Sequence, residues 1–493
     1  MKQTVLKMLN LFFLIISVPV FAQELATDSL DAFIAKQVEE YHIPGLAVGV
    51  IRNNQVIFKK GYGITSKIDP IPVNTRTIFP IMSCTKAFTA AAMGMLVDQG
   101  KIEWKDKVIK HLPNFKLSDP WITKELTIAD ILSHRSGLES FDGDLLWYGT
   151  DYSREEIARR IRYSAIRKDF RTEFGYQNVM YLVAGLIIEK VTGHTWDDFL
   201  KGQIFSPMSM NSTTTTITDS VPGAEYARPH LTNNPIPLMN VDNIGPAGSI
   251  NSNIDDMLKW VQLWIDKGDF KGKRIFSEDA FKTITTEKIK QSMSSDDGYG
   301  FGWNIGYEDG RKVLAHGGGM PGLKSFITIM PEQKTAIVIL TNRLTYFNEE
   351  LAEVITDFVN SEQIDWKKTG SGLYGKNFRF SWDEVSADSG FKKHTKIPNF
   401  RVYKGLYEDK GYGKAMIREE NGRAVLELVP SKQQFSGFLY YLGKNKFKVV
   451  FNDEFVPAGE VIFNLDKNQR PSGFKLNIDS GDFLFKYLDF RKL

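Results

Sequence analysis

Ser83-Cys84-Thr85-Lys86 is followed at helical spacing by Phe88, Ala91, Ala92, Met95 and Leu96, and Gly100 supplies a stop. The stretch reads as a buried helix with a serine at its N-terminus and a lysine three positions later, which puts both side chains on one face. Free backbone N–H groups and the helix dipole at such an end favour negative charge on an oxygen. A free lysine has a pKa of about 10.4, so Lys86 can accept the serine proton only if it is desolvated or set beside another cation. The spacing recurs at Ser389 to Lys392 and Ser472 to Lys475, but those lie in a polar stretch and in a strand-like run. Taken alone, the motif is better explained by an N-cap serine beside a solvated lysine.

Two further stretches change that balance. Tyr176-Gln177-Asn178 opens a second apolar helix, Val179 to Val191, ended by Gly193. The Tyr176 phenol can shuttle a proton only if Lys86 depresses its pKa from about 10, and the Asn178 amide can donate to a substrate carbonyl. Ala315-His316-Gly317-Gly318-Gly319 lies between a strand at Lys312 to Ala315 and another at Ser325 to Met330. Gly318 and Gly319 on an edge strand would expose backbone to a substrate, and one N–H there could complete an oxyanion hole with that of Ser83. Tyr346-Phe347-Asn348 repeats the tyrosine motif but reads as the start of a final helix, with Asn348 as its cap.

Around these stretches a helix is expected from Ser29 to Tyr41. A hairpin follows, Leu46 to Ile51 and Gln55 to Lys59 joined at Asn53-Asn54. Residues 83–290 are largely helical in period. Strands return at Gly302 to Tyr307, Lys312 to Ala315, Ser325 to Met330 and Thr335 to Leu340, and a helix runs from Asn348 to Asn360. Strands at both ends with helices between predict an α+β fold: an antiparallel sheet flanked by helices and carrying a helical subdomain.

The set of motifs resembles the serine β-lactamase and penicillin-binding protein superfamily, nearest its branch of class C-like lactamases, D-aminopeptidases, D,D-carboxypeptidases and esterases. The resemblance covers residues 30 to 360 and includes Leu132-Ser133-His134-Arg135-Ser136-Gly137-Leu138 and Pro246-Ala247-Gly248-Ser249. It implies Ser83 as acylated nucleophile, Lys86 as its base partner, Tyr176 as proton shuttle, Asn178 as a substrate ligand and Gly319 as second oxyanion donor. His316, counted with the catalytic set, stands where true lactamases have the lysine of Lys-Thr-Gly, and a mostly neutral histidine weighs against strong β-lactamase activity. A literal Lys368-Thr369-Gly370 falls after the final helix and reads as coincidence. His134 reads as structural, and the remaining histidines lack metal spacing, so neither metal nor cofactor is expected. Trp147 and Tyr148, beside Asp142-Gly143-Asp144, could form a lip over the site.

The remaining features set the surroundings. Lys2 and Lys7 precede an apolar run, Leu9 to Val20, with small residues suited to cleavage after Ala22, so residues 1–22 read as a signal peptide and the protein as periplasmic or secreted. Residues 23–362 form the hydrolase-like domain, 363–400 a polar linker, and 401–493 an all-β sandwich or barrel, resembling a lipocalin-like appendage, that shapes substrate access or mediates assembly. Its strands are expected at Ala424 to Val429, Lys446 to Phe451, Val461 to Leu465, Phe474 to Ile478 and Phe483 to Leu488. Across 493 residues, 62 basic and 59 acidic side chains nearly cancel, which argues against nucleic acid or an acidic membrane surface as partner. Cys84 is the single cysteine, excluding an internal disulfide. The expected function is an exported serine hydrolase acting through an acyl-Ser83 on D-amino-acid-containing peptides or small esters and amides. A weak β-lactamase or D,D-carboxypeptidase is the near alternative, and a non-catalytic binding or sensor protein the distant one.

Overall fold

The computed structural model describes residues 27–231, 234–292, 294, 297–360 and 400–493. The expected signal peptide, nearly all of the expected linker and Lys368-Thr369-Gly370 lie outside them.

Alternation along the strands builds the layers. In Gly45–Arg52, Leu46, Val48 and Val50 face one side while Ala47 and Ile51 face the other, and both sides are buried. The first side packs under two terminal helices, one over residues 27–40 and the other Phe347–Asn360. The second side packs under Ile254–Ile265 and the helix Thr85–Asp98, whose Phe88 stacks on Trp260 with ring centroids 3.6 Å apart. The eight-stranded antiparallel sheet runs in the order Gln55–Gly63, Gly45–Arg52, Thr335–Thr341, Leu323–Met330, Arg311–Met320, Asn304–Glu308, Gly298–Tyr299, Ile289–Lys290. The first strand of the sheet thus pairs directly with its last, Gly45–Arg52 with Thr335–Thr341. Asn53 and Asn54 both take left-handed angles, with φ 51° and 63°, as a two-residue hairpin turn requires.

The glycine stretch is not a loop. Strand Arg311–Met320 continues through His316, Gly317, Gly318 and Gly319, pairing Gly318 with Ser325 and Gly319 with Lys324. Its other neighbour, Asn304–Glu308, pairs only as far as Ala315, so from His316 onward that side is a sheet edge. The segment bearing Ser83 lies against this edge. A Cβ on Gly318 would stand 2.3 Å from the Ile81 carbonyl oxygen and 2.9 Å from Met82 Cβ, so only glycine permits this approach. Ser325 Oγ donates to Ile81 O at 2.6 Å and Cys84 Sγ to His316 O at 3.2 Å, fastening the two segments.

Residues 405–492 form a closed eight-stranded antiparallel barrel, resolving the choice between sandwich and barrel. Tyr407 pairs with Lys492 and closes it. Strands Gly405–Asp409, Gly413–Glu420 and Ser436–Gly443 escaped the sequence reading, the last because Phe438, Tyr440 and Leu442 point outward into solvent and blur the alternation. The strand expected at Phe483 to Leu488 is instead a 3₁₀ turn, Phe485–Tyr487, before the closing strand Asp489–Lys492. Its phenylalanines fill an end of the barrel rather than a pleat: Phe485 packs on Phe435 at 5.3 Å and Phe483 on Tyr148 at 4.4 Å. Aromatic rings also fill the interior, with Phe463, Phe474 and Phe490 in sequence at 5.6 and 4.6 Å.

The barrel docks on the helical region beside Ser83. Tyr148 Oη donates to Asp453 at 2.7 Å, Tyr152 Oη to Tyr412 O at 2.8 Å and Arg160 to Gly411 O at 2.8 Å, while Leu145 and Tyr148 join the barrel's core. Among the described residues no helix is long and apolar enough to cross a membrane.

Candidate active site

Ser83 sits in a 3₁₀ turn, Met82–Cys84, that leads into Thr85–Asp98. Met82 just before it has φ 47°, a left-handed conformation uncommon for a residue with a side chain, and the packing against Gly318 holds it there. Helical spacing then carries Lys86 beneath Ser83, where it is completely buried.

Lys86 Nζ has three oxygen neighbours: Ser83 Oγ at 3.1 Å, Asn178 Oδ1 at 2.7 Å and Ala247 O at 3.0 Å. Two of these only accept, whereas a hydroxyl also donates. A neutral amine therefore places its two hydrogens on Asn178 and Ala247 and turns its lone pair toward the Ser83 O–H. Burial favours that form and lowers the Lys86 pKa to about 7, with the Asp144 carboxylate resisting. The sequence asked for a desolvated lysine, and burial supplies one.

Asn178 opens the helix Asn178–Thr192, which Gly193 ends with φ 75°. Its Nδ2 donates to Asp144 Oδ2 at 2.7 Å, so one amide hydrogen expected for substrate is committed within the protein. Asp144 was not among the candidates. It follows Gly143, whose φ of 88° makes the tight turn, and it is buried on the wall of the site. Burial raises its carboxyl to about 7, against the pull of Trp147, Asn178 and Lys86. Ala247 also went unrecognised as a Lys86 acceptor, although the Pro246 to Ser249 motif was noted. Thr89 Oγ1 bonds Pro246 O at 2.7 Å and fixes that segment to the nucleophile helix.

Tyr176 lines the same cavity, with Lys86 Nζ 4.7 Å from its ring centroid. Enclosure pushes its phenol well above the ordinary value, with Ser83 opposing, so the resting phenol keeps its proton. The sequence reading required the reverse shift; the loss of solvation sets the direction instead. His134 is buried behind Tyr176, ring centroids 4.4 Å apart, and its Nδ1 accepts from Gln177 N at 3.0 Å. That contact holds the backbone between Tyr176 and Asn178.

His316 is close but does not line the cavity. Its Nδ1 meets Gly317 O at 2.7 Å, which can only accept, so Nδ1 carries the hydrogen and Nε2 accepts from Tyr299 Oη at 3.0 Å. Burial, then the Lys86 charge, lowers its pKa to about 3, leaving it neutral. Gly319 lines the cavity, whereas Gly318 is spent on the approach to Ile81. Asn348 is inside the final helix rather than its cap, and its side chain accepts from Thr341 Oγ1 at 3.1 Å. Tyr346 lines the cavity beside Lys324, whose Nζ pairs with Glu349 at 2.5 Å.

These groups share one cavity of about 250 Å³, mostly apolar, with Trp147 and Tyr148 on its wall as the sequence suggested. Phe455, Asp482 and Phe483 of the barrel complete it. A lysine kept short of its charge against a hydroxyl at a helix start is the arrangement of a serine hydrolase. The chain belongs to the Beta-lactamase family, whose model matches residues 30–359. It is 31% identical over 373 residues to unguisins hydrolase ungD' of Aspergillus campestris, covering 69% of this chain and 68% of that one. It is 24% identical over 350 residues to protein flp of Staphylococcus aureus strain MW2, covering 69% and 67%. In fold it is similar to the octameric penicillin-binding protein homologue from Pyrococcus abyssi, with TM-score 0.61 at 21% identity over 94% of this chain and 100% of that one.

Proposed function

We propose that the protein is an exported hydrolase that forms an acyl-enzyme on Ser83 with small esters and amides, D-amino-acid-containing peptides among them. The observation that carries this reading is the environment of Lys86: two carbonyl acceptors fix its hydrogens and leave the lone pair for the Ser83 proton. Ser83 Oγ attacks the acyl carbon as its proton passes to Lys86, and the tetrahedral oxyanion is held by the N–H groups of Ser83 and Gly319. Tyr176, protonated at rest, hands its proton to the leaving group and is refilled from Lys86. Water then enters by the reverse relay, releasing the acid and restoring Ser83. The name of the relative in Aspergillus campestris, a hydrolase, agrees with this reading.

A fluorophosphonate probe tests it. Intact-mass and peptide spectra are expected to place one adduct on Ser83, absent in Ser83→Ala. Labelling elsewhere, or none, removes the reading.

A further inference from the structure

Tyr299 joins the two motif histidines behind the site. It ends the short strand Gly298–Tyr299 and is buried, with its ring centroid 4.6 Å from that of His134 and its Oη 3.0 Å from His316 Nε2. The hydrogens around it have one arrangement. Tyr181 Oη spends its hydrogen on Leu132 O at 2.6 Å, and His316 Nδ1 spends its own on Gly317 O, so the bare Nε2 receives the Tyr299 hydroxyl. With the hydrogen on Nε2 instead, Nδ1 would turn a lone pair against the Gly317 carbonyl. Gly317 stands two residues before Gly319, and backbone groups two apart along an extended strand point the same way. Pairing with Asn304–Glu308 stops at Ala315, so on this side the imidazole supplies an orientation that a ladder would otherwise give.

We propose that Tyr299 is a positioning residue for the oxyanion strand: its hydroxyl fixes the His316 tautomer that donates to Gly317 O, and so sets the direction in which the Gly319 N–H meets the acyl oxygen. This rests on the acyl-Ser83 reading above. It deepens that reading by giving His316 a task away from proton transfer and by tying the strand edge to a residue that the cavity never touches.

The test reads both ends of the relay. In protein labelled with 15N-histidine, the His316 signals, identified by their loss in His316→Asn, should show the Nδ1–H tautomer without change between about pH 5 and 8, since burial lowers its pKa to about 3. An Nε2–H tautomer in the wild type overturns the proposal, and that measurement stands even where a Tyr299 variant folds poorly. Tyr299→Phe keeps the ring and removes the hydroxyl. It should lower kcat for a neutral p-nitrophenyl ester about tenfold with KM little changed, and weaken phenylboronic acid, whose tetrahedral adduct needs the same N–H, by a similar factor. Equal kcat, or a loss confined to KM, overturns the proposal. His316→Asn keeps an amide donor near Gly317 O with no need of the hydroxyl, so adding Tyr299→Phe to it should cost little more; fully additive losses also overturn the proposal. Fluorophosphonate labelling of Ser83 separates the two levels: labelled wild type with an unimpaired Tyr299→Phe removes only this inference, whereas unlabelled wild type removes the reading beneath it as well.

Discussion

Lys86 and Asp144 make the clearest demand on chemistry. The base works as the neutral amine, so kcat/KM should rise with pH through about 7 and fall about tenfold per unit below it. Asp144 favours the ammonium form, so Asp144→Asn should move this acid limb to lower pH, measured on a neutral ester at constant ionic strength. Movement upward would contradict the assigned interaction. Lys86→Met should lower kcat by about a hundredfold or more, since general-base help of this kind is worth roughly 10²–10⁴. Ser83, Lys86, Tyr176 and Asn178 were legible because chemistry-bearing residues opened apolar helices at recognisable spacings. Asp144 and Ala247 were not: one contributes a carboxylate from a turn, the other only a backbone carbonyl, and neither residue type signals its role along a chain.

At the scale of elements, the Ser83 turn is aimed by the sheet edge beyond Ala315 as much as by its own helix. Gly318→Ala tests this, because the added carbon would meet Ile81 O at 2.3 Å. Overpacking of this kind costs about 1–3 kcal/mol, and here the displaced atoms belong to the reaction centre. We expect turnover to fall by more than tenfold with only a modest drop in melting temperature; full activity in the variant would mean that the strand is free to withdraw. The sheet itself was readable from β-branched alternation and the Asn-Asn turn. The edge-strand reading of Gly318 and Gly319 agrees with the pairing, although glycine carries no pleat signature and its register here is imposed by Leu323–Met330 alongside. The Phe483 to Leu488 run misled for the opposite reason: its alternation is real but serves two packing surfaces.

On the scale of the whole molecule, the barrel and the sheet region share a core through Leu145 and Tyr148 and share a cavity through Phe455, Asp482 and Phe483. Removing residues 400–493 should therefore lower the melting temperature of the remainder and raise KM for apolar esters by about tenfold, read by scanning calorimetry and initial rates. Unchanged KM would show that the barrel contributes no wall. From the sequence a second β unit was evident, but which face it covers was not, because docking depends on a few long-range pairs such as Tyr148 with Asp453.

The cavity has two architects. Its reactive floor is drawn from the sheet and buried helices, where Gly318 leaves no slack, while Phe455, Asp482 and Phe483 come from segments that join barrel strands. Such turns tolerate insertion and exchange without disturbing a hydrogen-bonded ladder. Lineages carrying this scaffold could thus diversify diet while conserving chemistry, by rewriting a few surface turns that never touch the nucleophile.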